Sequence, residues 1–432
     1  MNKLISFILC VLLVIGIFAG CDLGGGDAAD GQTGVFSVGY GSVDISPYDL
    51  SVPMSGYGDT LTRYSTEVVN PIYATCVAFR DANGNTLLQF HNDLIGCQEV
   101  ISFARKDISE ATGIPIGNIM VSATHTHHSV ATGETDIDSI VTYNKRLREW
   151  LVEAAQAALE DLKPAEMYIS SIETENMNFI RHYLMKDGTV AGDNFGDKSS
   201  GYVDHVSEPD RVLQLIKFTR EGGKDVILAN FQTHPHRNGG NSVYTGINSD
   251  IVGIMRDEVE SLLNCEFAYF TGASGNVNPS SKLKEENVTA DYQEQGAALA
   301  EYAVEAAADF KQVQTGNVQI LHTAYKAEPK EAGKAVSDIN IYAYSLGDVA
   351  FAVAPYEMFS ANGEQLKEGS PFAMTFVTTL SNYHVKYIPS YEGFEYDGKL
   401  SYGGNVCRYA RGTGELLVDE YVRMLGELYE TK

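Results

Sequence analysis

Residues 119–129 read IMVSATHTHHS, an apolar run followed at once by three histidines within four positions. The run predicts a buried strand whose C-terminal end opens onto a polar site. Side chains two positions apart leave a strand on the same face, so His125 and His127 point the same way. Two imidazoles on one rigid edge suit a zinc site, or a zinc ligand beside an acid–base catalyst. The alternative is a polar loop with surface histidines.

A second histidine motif, Thr233-His234-Pro235-His236, follows another apolar run at residues 226–231. A single cluster after a strand is compatible with a surface loop, but its recurrence after a second strand favours a metal centre. Imidazole nitrogen is one of the common zinc ligands in proteins. The sequence therefore predicts a metal site at strand ends.

From Val35 onward short apolar strands alternate with longer helical stretches, which predicts an α/β fold with a mixed β-sheet core, flanking helices and an active site at strand ends. Residues 184–209, rich in Gly, Asp and Ser, are predicted to form a long loop. The predicted strands are 72–79, 86–92, 118–123, 212–219, 225–232, 266–271, 340–346, 349–354 and 374–380. The predicted helices are 143–162, 250–263, 286–309 and 413–430.

The chain of 432 residues is strongly acidic, with 31 Lys and Arg against 57 Asp and Glu and a net charge of −26. Nucleic-acid binding depends on basic patches, so this charge argues against a nucleic-acid partner. No CxxC pair occurs, which argues against a thiolate zinc site. Cys76 and Cys265 lie in or beside apolar runs and are expected to act as small hydrophobes. Together with Cys97 and Cys407 they allow one or two disulfides, whose pairing the sequence does not decide.

The N-terminus is predicted to be a lipoprotein signal peptide at residues 1–20, with a positive Lys3 and an apolar stretch too short to span a bilayer. Phe18-Ala19-Gly20-Cys21 resembles a bacterial lipobox. Cys21 is therefore expected to be lipidated, and residues 21–34 to form a flexible tether to one domain at 35–432. This places the protein in the bacterial cell envelope, anchored to the membrane outside the cytoplasm. The alternative is an uncleaved anchor helix.

Several motifs together resemble the neutral, non-lysosomal ceramidase family. The resemblance spans roughly residues 37–430, which correspond to the catalytic domain of that family, and no further C-terminal β-sandwich domain is expected. The motifs are, in chain order, GYGSVDISP at 39–47, MSGY at 54–57, SATHTH at 122–127, FQTH at 231–234, GNVNP at 275–279 and YDG at 396–398.

The resemblance implies a zinc ion held by His125, His234, Glu357 and Tyr387. Glu357 lies in APYEMF at 354–359, and Tyr387 lies in NYHVKYI at 382–388. Such a mixed nitrogen and oxygen set suits zinc and leaves room for a water. The water would be acidified and would attack an amide carbonyl directly. Tyr387 alone, one of 25 tyrosines, is as readily explained by packing.

The resemblance also implies three catalytic helpers. His127 would move the proton from the water to the leaving amine, and Arg181 and Tyr396 would stabilise the oxyanion. For Tyr396, as for Tyr387, packing is the alternative. His91 and Asp93 are expected either to support the ligands or to make structural hydrogen bonds. His128 and His236 are expected to be supporting or solvated residues rather than ligands.

One position departs from the family. Its Gly-Asp-Val-Ser-Pro-Asn element reads Gly275-Asn276-Val277-Asn278-Pro279-Ser280 here. Asparagine forms no acyl-enzyme, so the resemblance with this change implies that Asn278 contributes through its amide and not as a nucleophile. Ser274 and Ser280 lie nearby but not at the motif position.

The function implied is a zinc-dependent amidohydrolase that cleaves an N-acyl linkage, with an N-acylated lipid or another small amide as substrate. Two alternatives stay open. One is an enzyme of the same kind acting on another amide or ester, and the other is a ceramidase-like lipoprotein that binds a ligand with little or no turnover.

Overall fold

The computed structural model describes residues 34–58, 61–238 and 243–432, and its residues from Gly34 onward cluster as one unit. The predicted signal peptide, Cys21 and the tether as far as residue 33 lie outside the described residues. Among the described helices, none combines the length and apolar character needed to cross a bilayer.

The described residues alternate between helices and strands, as the sequence predicted. The helices are α1 (Glu99–Thr112), α2 (Asp138–Glu160), α3 (Asp250–Leu263), α4 (Tyr292–Ala307), α5 (Ser360–Gly369), α6 (Tyr402–Val406) and α7 (Thr413–Glu430). The first twelve strands are β1 (Ser37–Asp44), β2 (Glu67–Val68), β3 (Tyr73–Arg80), β4 (Thr86–Asn92), β5 (Ile119–Ala123), β6 (Lys163–Glu173), β7 (Phe179–Ile180), β8 (His182–Met185), β9 (Val190–Gly192), β10 (Tyr202–His205), β11 (Val212–Arg220) and β12 (Val226–Phe231). The later strands are β13 (Gly246–Ile247), β14 (Glu266–Thr271), β15 (Val277–Asn278), β16 (Lys311–Val313), β17 (Val318–Ala327), β18 (Ser337–Leu346), β19 (Val349–Val353), β20 (Glu357–Met358), β21 (Met374–Thr378), β22 (Tyr387–Ile388), β23 (Glu395–Tyr396) and β24 (Lys399–Leu400).

Two mixed sheets form the core. The larger has nine strands in the order β14-β12-β11-β6-β1-β3-β4-β5, with β16 added beside β6. Its pairs β4–β5 and β12–β14 are parallel, and each of these pairs lies at one end of the strand order. The smaller sheet has the order β17-β18-β19-β21 and ends in the parallel pair β19–β21. The α/β class with a mixed sheet is confirmed, although the sequence did not indicate two sheets.

The sheets and helices stack in four layers. Between the sheets lies a core that contains Phe79 and Phe218 from the larger sheet and Phe351 and Phe376 from the smaller. Alternate side chains of the larger sheet point outward, where α1 and α2 cover one half and α3 and α4 the other. Helix α7 covers the outer face of the smaller sheet. Period-two alternation lets each strand serve two cores at once.

The starts of α2 and α4 differ from the predicted 143 and 286, and one helix was missed. Helix α4 begins at Tyr292 and not at 286, because the Asp291 side chain accepts hydrogen bonds from the backbone N–H groups of Gln293 and Glu294 and caps the first turn. Helix α1 was not predicted, although Val100, Ala104 and Ile108 recur at helical spacing on its buried face.

The structure corrects the predicted loop at 184–209 and shows the state of the four cysteines in the described residues. The predicted loop at 184–209 carries a three-stranded sheet, β10-β8-β9, because Tyr183, Met185 and Ala191 form a small apolar core of their own. All four cysteines in the described part of the chain are free and buried, so no disulfide forms. Cys76 and Cys265 pack as small hydrophobes, as expected.

The larger sheet curls until its two edges meet. Strands β5 and β14 are far apart in strand order, yet the Thr271 hydroxyl donates to the Thr124 carbonyl at 2.7 Å. The segment after β21 holds both edges together: the backbone N–H of Thr379 donates to Thr271, and that of Asn382 donates to Val121. This closure brings the C-terminal ends of β5 and β12 to one place.

Candidate metal centre

The first histidine, His125, lies two residues beyond the end of β5 in a left-handed backbone conformation with φ of 72°. Its backbone N–H donates to the Leu94 carbonyl at 2.9 Å, and its ring Nδ1 faces the Ile95 carbonyl. A carbonyl oxygen only accepts hydrogen bonds, so Nδ1 carries the proton and Nε2 keeps its lone pair. The loop after β4 therefore fixes both the position and the tautomer of His125.

The second histidine, His234, is held in the same way after β12. Its backbone N–H and its ring Nδ1 both donate to the Val277 carbonyl, at 3.2 and 3.0 Å. Val277 belongs to the short strand β15, in the GNVNP motif. His234 thus also presents an unprotonated Nε2, and its ring centroid lies 4.7 Å from that of His125.

Glu357 and Tyr387 reach the site from the segments that follow β19 and β21, the parallel pair of the smaller sheet. They are register partners in the short parallel pair β20–β22, which places their side chains on one face. The backbone passes very close at Gly275, where a Cβ atom would lie 2.8 Å from the Glu357 carbonyl oxygen. Only glycine fits there, so the GNVNP motif packs directly against the strand that carries Glu357.

Three buried acceptors converge at this point. Glu357 Oε2 lies 3.4 Å from His125 Nε2 and 3.3 Å from His234 Nε2, and none of the three atoms has a hydrogen-bond partner among the described residues. Since both Nε2 atoms bear lone pairs, no proton donor separates them from the carboxylate. Lone pairs directed at one buried point are unfavourable unless a cation lies between them. The donor set therefore fits a metal ion, and nitrogen with oxygen ligands suits zinc.

The surrounding imidazoles are neutral, as metal ligands must be. Burial lowers the pKa of His234 to about 4 and that of His236 to about 3. Burial, together with the neighbouring imidazoles, also holds the pKa of His127 well below its ordinary value. At neutral pH these rings bear no charge and their free nitrogens can bind a cation or accept a proton.

His127 adjoins the two predicted ligands. Its ring centroid lies 4.9 Å from that of His125 and 5.6 Å from that of His234, and both of its ring nitrogens are buried without a partner among the described residues. One nitrogen from each of the three histidines falls within 4.8 Å of the others, so His127 is close enough to be a ligand as well. The geometry accommodates His127 as ligand or as acid–base group.

Arg181 is buried behind Tyr387. Its Nη2 donates to the Gly275 carbonyl at 2.6 Å, and its guanidinium lies 5.2 and 5.4 Å from the ring centroids of Tyr387 and Tyr402. Its Nε has no hydrogen-bond partner among the described residues. Burial and the Glu357 charge raise the pKa of the Tyr387 hydroxyl, while Arg181 opposes that rise. A charged donor is thus buried beside Tyr387 with one N–H free.

Tyr396 lies one layer further from the converging acceptors. Its hydroxyl is hydrogen-bonded to His182 Nδ1 at 3.0 Å, and its ring stacks on Phe195. Burial raises the pKa of Tyr396 to about 12, so the hydroxyl remains protonated and can donate. His182 directly follows Arg181 in the chain, and β9 and its turn supply Phe195. Tyr396 is therefore attached to the site through residues that the sequence did not single out.

Solved ceramidase structures share this architecture. A ceramidase complexed with C2 superposes with a TM-score of 0.73 at 14% sequence identity, covering 92% of this chain and 76% of its own. The neutral ceramidase from Pseudomonas aeruginosa gives a TM-score of 0.73 at 15% identity, covering 92% and 75%. No family model matches the sequence, and no curated protein does.

This chain has the neutral ceramidase fold. The resemblance inferred from the motifs is thereby confirmed at the level of the fold. In this ceramidase fold His125, His234 and Glu357 converge, and Tyr387 lies beside Glu357 as its register partner, although the four come from loops and a short strand pair that are distant in sequence. The assignment of each residue to a chemical role remains a prediction.

Asn278, which replaces the family serine, is held by its neighbours at both ends of its amide. Its Nδ2 donates to the Asp193 carboxylate at 2.7 Å, which fixes the orientation of the amide. Its Oδ1 therefore faces His236 Nε2 at 3.3 Å and accepts from it. The ring of His236 lies 5.0 Å from that of His127. Asn278 is placed to orient His236, with Asp193 as a partner that the sequence did not reveal.

The other expected supporting residues prove mostly structural. Asp93 pairs with Arg256 at 2.8 Å, and the buried ring of His91 packs near Phe270, 5.7 Å away between centroids. His128 is fully buried, with Nε2 3.6 Å from Asp250 Oδ2, so it is not solvated. The direct support for His125 comes instead from the backbone carbonyls of Leu94 and Ile95. The sequence does not indicate such a role for a backbone group.

Sequence reasoning also missed His384. It lies within the same NYHVKYI segment as Tyr387, and its Nε2 is 3.5 Å from Glu357 Oε1. The available indication was its position three residues before a predicted ligand, which places both in the segment that crosses the site.

Proposed function

We propose that this protein is a zinc-dependent amidohydrolase that cleaves N-acyl linkages. The observation that carries the proposal is the convergence of His125 Nε2, His234 Nε2 and Glu357 Oε2 at 3.3–3.4 Å without an intervening donor. The fold supports the reaction class, because the solved structures that share it are ceramidases, which hydrolyse an amide bond.

His125, His234, Glu357 and Tyr387 would hold the zinc ion. Two neutral imidazoles, a carboxylate and a phenolic oxygen form a mixed set that zinc accepts. A zinc ion bound there would polarise the scissile carbonyl and acidify a water molecule. The backbone carbonyls of Ile95 and Val277 keep the ligand nitrogens of both histidines deprotonated.

His127 would take a proton from the attacking water and deliver it to the leaving nitrogen. One C–O bond forms, the C–N bond breaks, and the proton moves from water to the amine. The unpartnered ring nitrogens of His127, next to His125 and His234, suit this transfer. If His127 were a zinc ligand instead, the His127→Ala variant would lose zinc as well as activity.

Arg181 would stabilise the oxyanion with its free Nε–H, and Tyr396 would assist as a neutral donor. Asn278 would act by orienting His236 and not by attack on the carbonyl, since its amide is bonded to Asp193 and His236. A direct attack by water, without an acyl-enzyme, is the mechanism proposed.

The proposed substrates are N-acylated lipids of the ceramide type or other small N-acyl compounds. One structural relative is a ceramidase complexed with C2, which supports an N-acyl ligand for this fold. Asn278 in place of serine alters the polar lining, so the amine half of the substrate is the part expected to differ.

Metal analysis and a substrate panel test the proposal together. Protein comprising residues 35–432 should contain about one zinc per chain and release fatty acid from at least one N-acyl lipid. The double variant His125→Ala/His234→Ala should lose both, whereas His322→Ala, at an exposed histidine, should retain both. Undiminished zinc in the double variant would remove the ligand assignment. Zinc without turnover on N-acyl lipids, esters and N-acyl amino acids would support the binding-protein alternative.

We also propose that Cys21 is lipidated and anchors the protein to the membrane of the cell envelope. The support is the sequence of residues 18–21 alone. Wild-type protein should partition into the detergent phase, and Cys21→Ser should prevent acylation and processing. Unmodified Cys21 in mature wild-type protein recovered from the aqueous phase would contradict the anchor.

A further inference from the structure

The two oxygens of the Glu357 carboxylate have different neighbours. Oε2 faces the Nε2 atoms of His125 and His234, whereas Oε1 faces Nε2 of His384 at 3.5 Å. Glu357 is buried, with 5% of its side chain exposed, and no lysine or arginine of the described residues forms an ion pair with it. A third imidazole thus adjoins Oε1.

The His384 imidazole is not held to the tautomer of the two predicted ligands. The rings of His125 and His234 donate through Nδ1 to carbonyl oxygens, which leaves Nε2 as an acceptor. Neither nitrogen of His384 is bonded to a carbonyl among the described residues. Its Nε2, which is buried without a hydrogen-bond partner among the described residues, is therefore free to carry the proton and direct it at Glu357 Oε1, which only accepts.

His384 is also not a core-packing residue. It lines a cavity of about 530 Å³ together with polar groups from α1, the residue before it and β18, among them Gln98, Arg105 and Asn340. Nineteen per cent of its side chain is exposed. One side of the ring meets this cavity and the other meets Glu357, so its removal leaves no apolar void in the core.

We propose that His384 is a positioning residue that holds Glu357 Oε1 and thereby turns Oε2 toward His125 and His234. The inference rests on the proposed zinc site and adds the residue that aligns its carboxylate. A ligating carboxylate is commonly hydrogen-bonded by a partner that fixes its orientation, and loss of such a partner typically weakens metal binding by about 10–100-fold.

Zinc affinity, measured by competition with a chromophoric chelator, tests this without reference to hydrolysis. His384→Ala should bind zinc about 10–100-fold more weakly. His384→Gln places an amide N–H near the same position and should recover most of that loss. Cobalt substitution offers a second readout: the visible spectrum should change in His384→Ala and return toward wild type in His384→Gln. His322→Ala serves as the matched control.

The outcomes separate the inference from the proposed function. Wild-type affinity and an unchanged cobalt spectrum in His384→Ala would overturn the positioning role while leaving the zinc site intact. Equal losses in His384→Ala and His384→Gln would also overturn it, because a donated hydrogen bond would then be irrelevant. A wild-type protein that binds no zinc would remove the proposed function and this inference together.

Discussion

Two carboxylates lie buried near the strand ends, and their surroundings are opposite. Asp93 accepts from the guanidinium of Arg256 at 2.8 Å and from the backbone N–H of Tyr73 at 3.0 Å. Glu357 faces imidazole nitrogens that have lone pairs of their own. Asp93 has its cation built into the chain, whereas Glu357 has a place for one.

The difference separates a structural charge from a functional one. A buried charge is tolerated when it is paired and hydrogen-bonded, as Asp93 is. Glu357 has no such cationic partner within the described residues, although it is buried and held in position by the packing of β20 against the GNVNP motif. A buried carboxylate without a cationic partner is suited to bind a metal ion. The comparison therefore predicts different changes in stability when the cation beside Asp93 is removed and when the charge of Glu357 is removed.

The largest effect on stability should come from breaking the Asp93–Arg256 pair. Arg256→Met leaves Asp93 buried without a cation and should lower the free energy of unfolding by about 3–5 kcal/mol. Chemical denaturation measures this. Arg423→Met, which removes a surface arginine paired with Glu420 and Glu427, is the matched control and should change stability by less than about 1 kcal/mol. Equal effects would mean that the buried pair contributes no more than a surface pair.

Glu357→Gln, in contrast, should not destabilise the metal-free protein. Without metal the amide relieves the convergence of acceptors, so the apo variant should be at least as stable as the apo wild type. Zinc at 100 times its dissociation constant should stabilise wild-type protein by about 2.7 kcal/mol, and should stabilise the variant far less. Thermal unfolding with and without zinc measures both.

Glu368→Gln, at an exposed carboxylate on α5, controls for the change of charge. If apo Glu357→Gln were several kcal/mol less stable than the apo wild type, Glu357 would be a structural carboxylate like Asp93. The contrast between the two buried groups would then fail.

Much of the site could be predicted from the sequence, because its parts are marked by side chains. The runs before His125 and His234 predicted β5 and β12 within one residue at each end, and the motif resemblance pointed to Glu357 and Tyr387. The two strands were predicted from a local pattern, an apolar run that ends in a polar side chain, whereas Glu357 and Tyr387 were predicted from the resemblance alone.

What escaped prediction depends on long-range geometry or on the backbone. The closure of the larger sheet, by which Thr271 meets Thr124, joins segments 147 residues apart. The carbonyls that orient His125 and His234 belong to Ile95 and Val277, whose apolar side chains indicate nothing of this role. Asp193 was hidden in a segment whose polar composition predicted a loop.

A third carboxylate, Asp291, should show the smallest effect and sharpens the contrast. It is exposed and needs neither a side-chain cation nor a metal, because it accepts from the backbone N–H groups of Gln293 and Glu294 at the start of α4. Asp291→Ala should lower the free energy of unfolding by about 1 kcal/mol, the usual loss for a helix cap, while Asp291→Asn should retain most of it. Neither change should alter zinc content, since α4 packs against α3 and the outer face of the larger sheet. A loss of zinc in Asp291→Ala would show that the metal centre depends on the outer helical layer. Asp291 would then count among the carboxylates that support metal binding, and not among the purely structural ones.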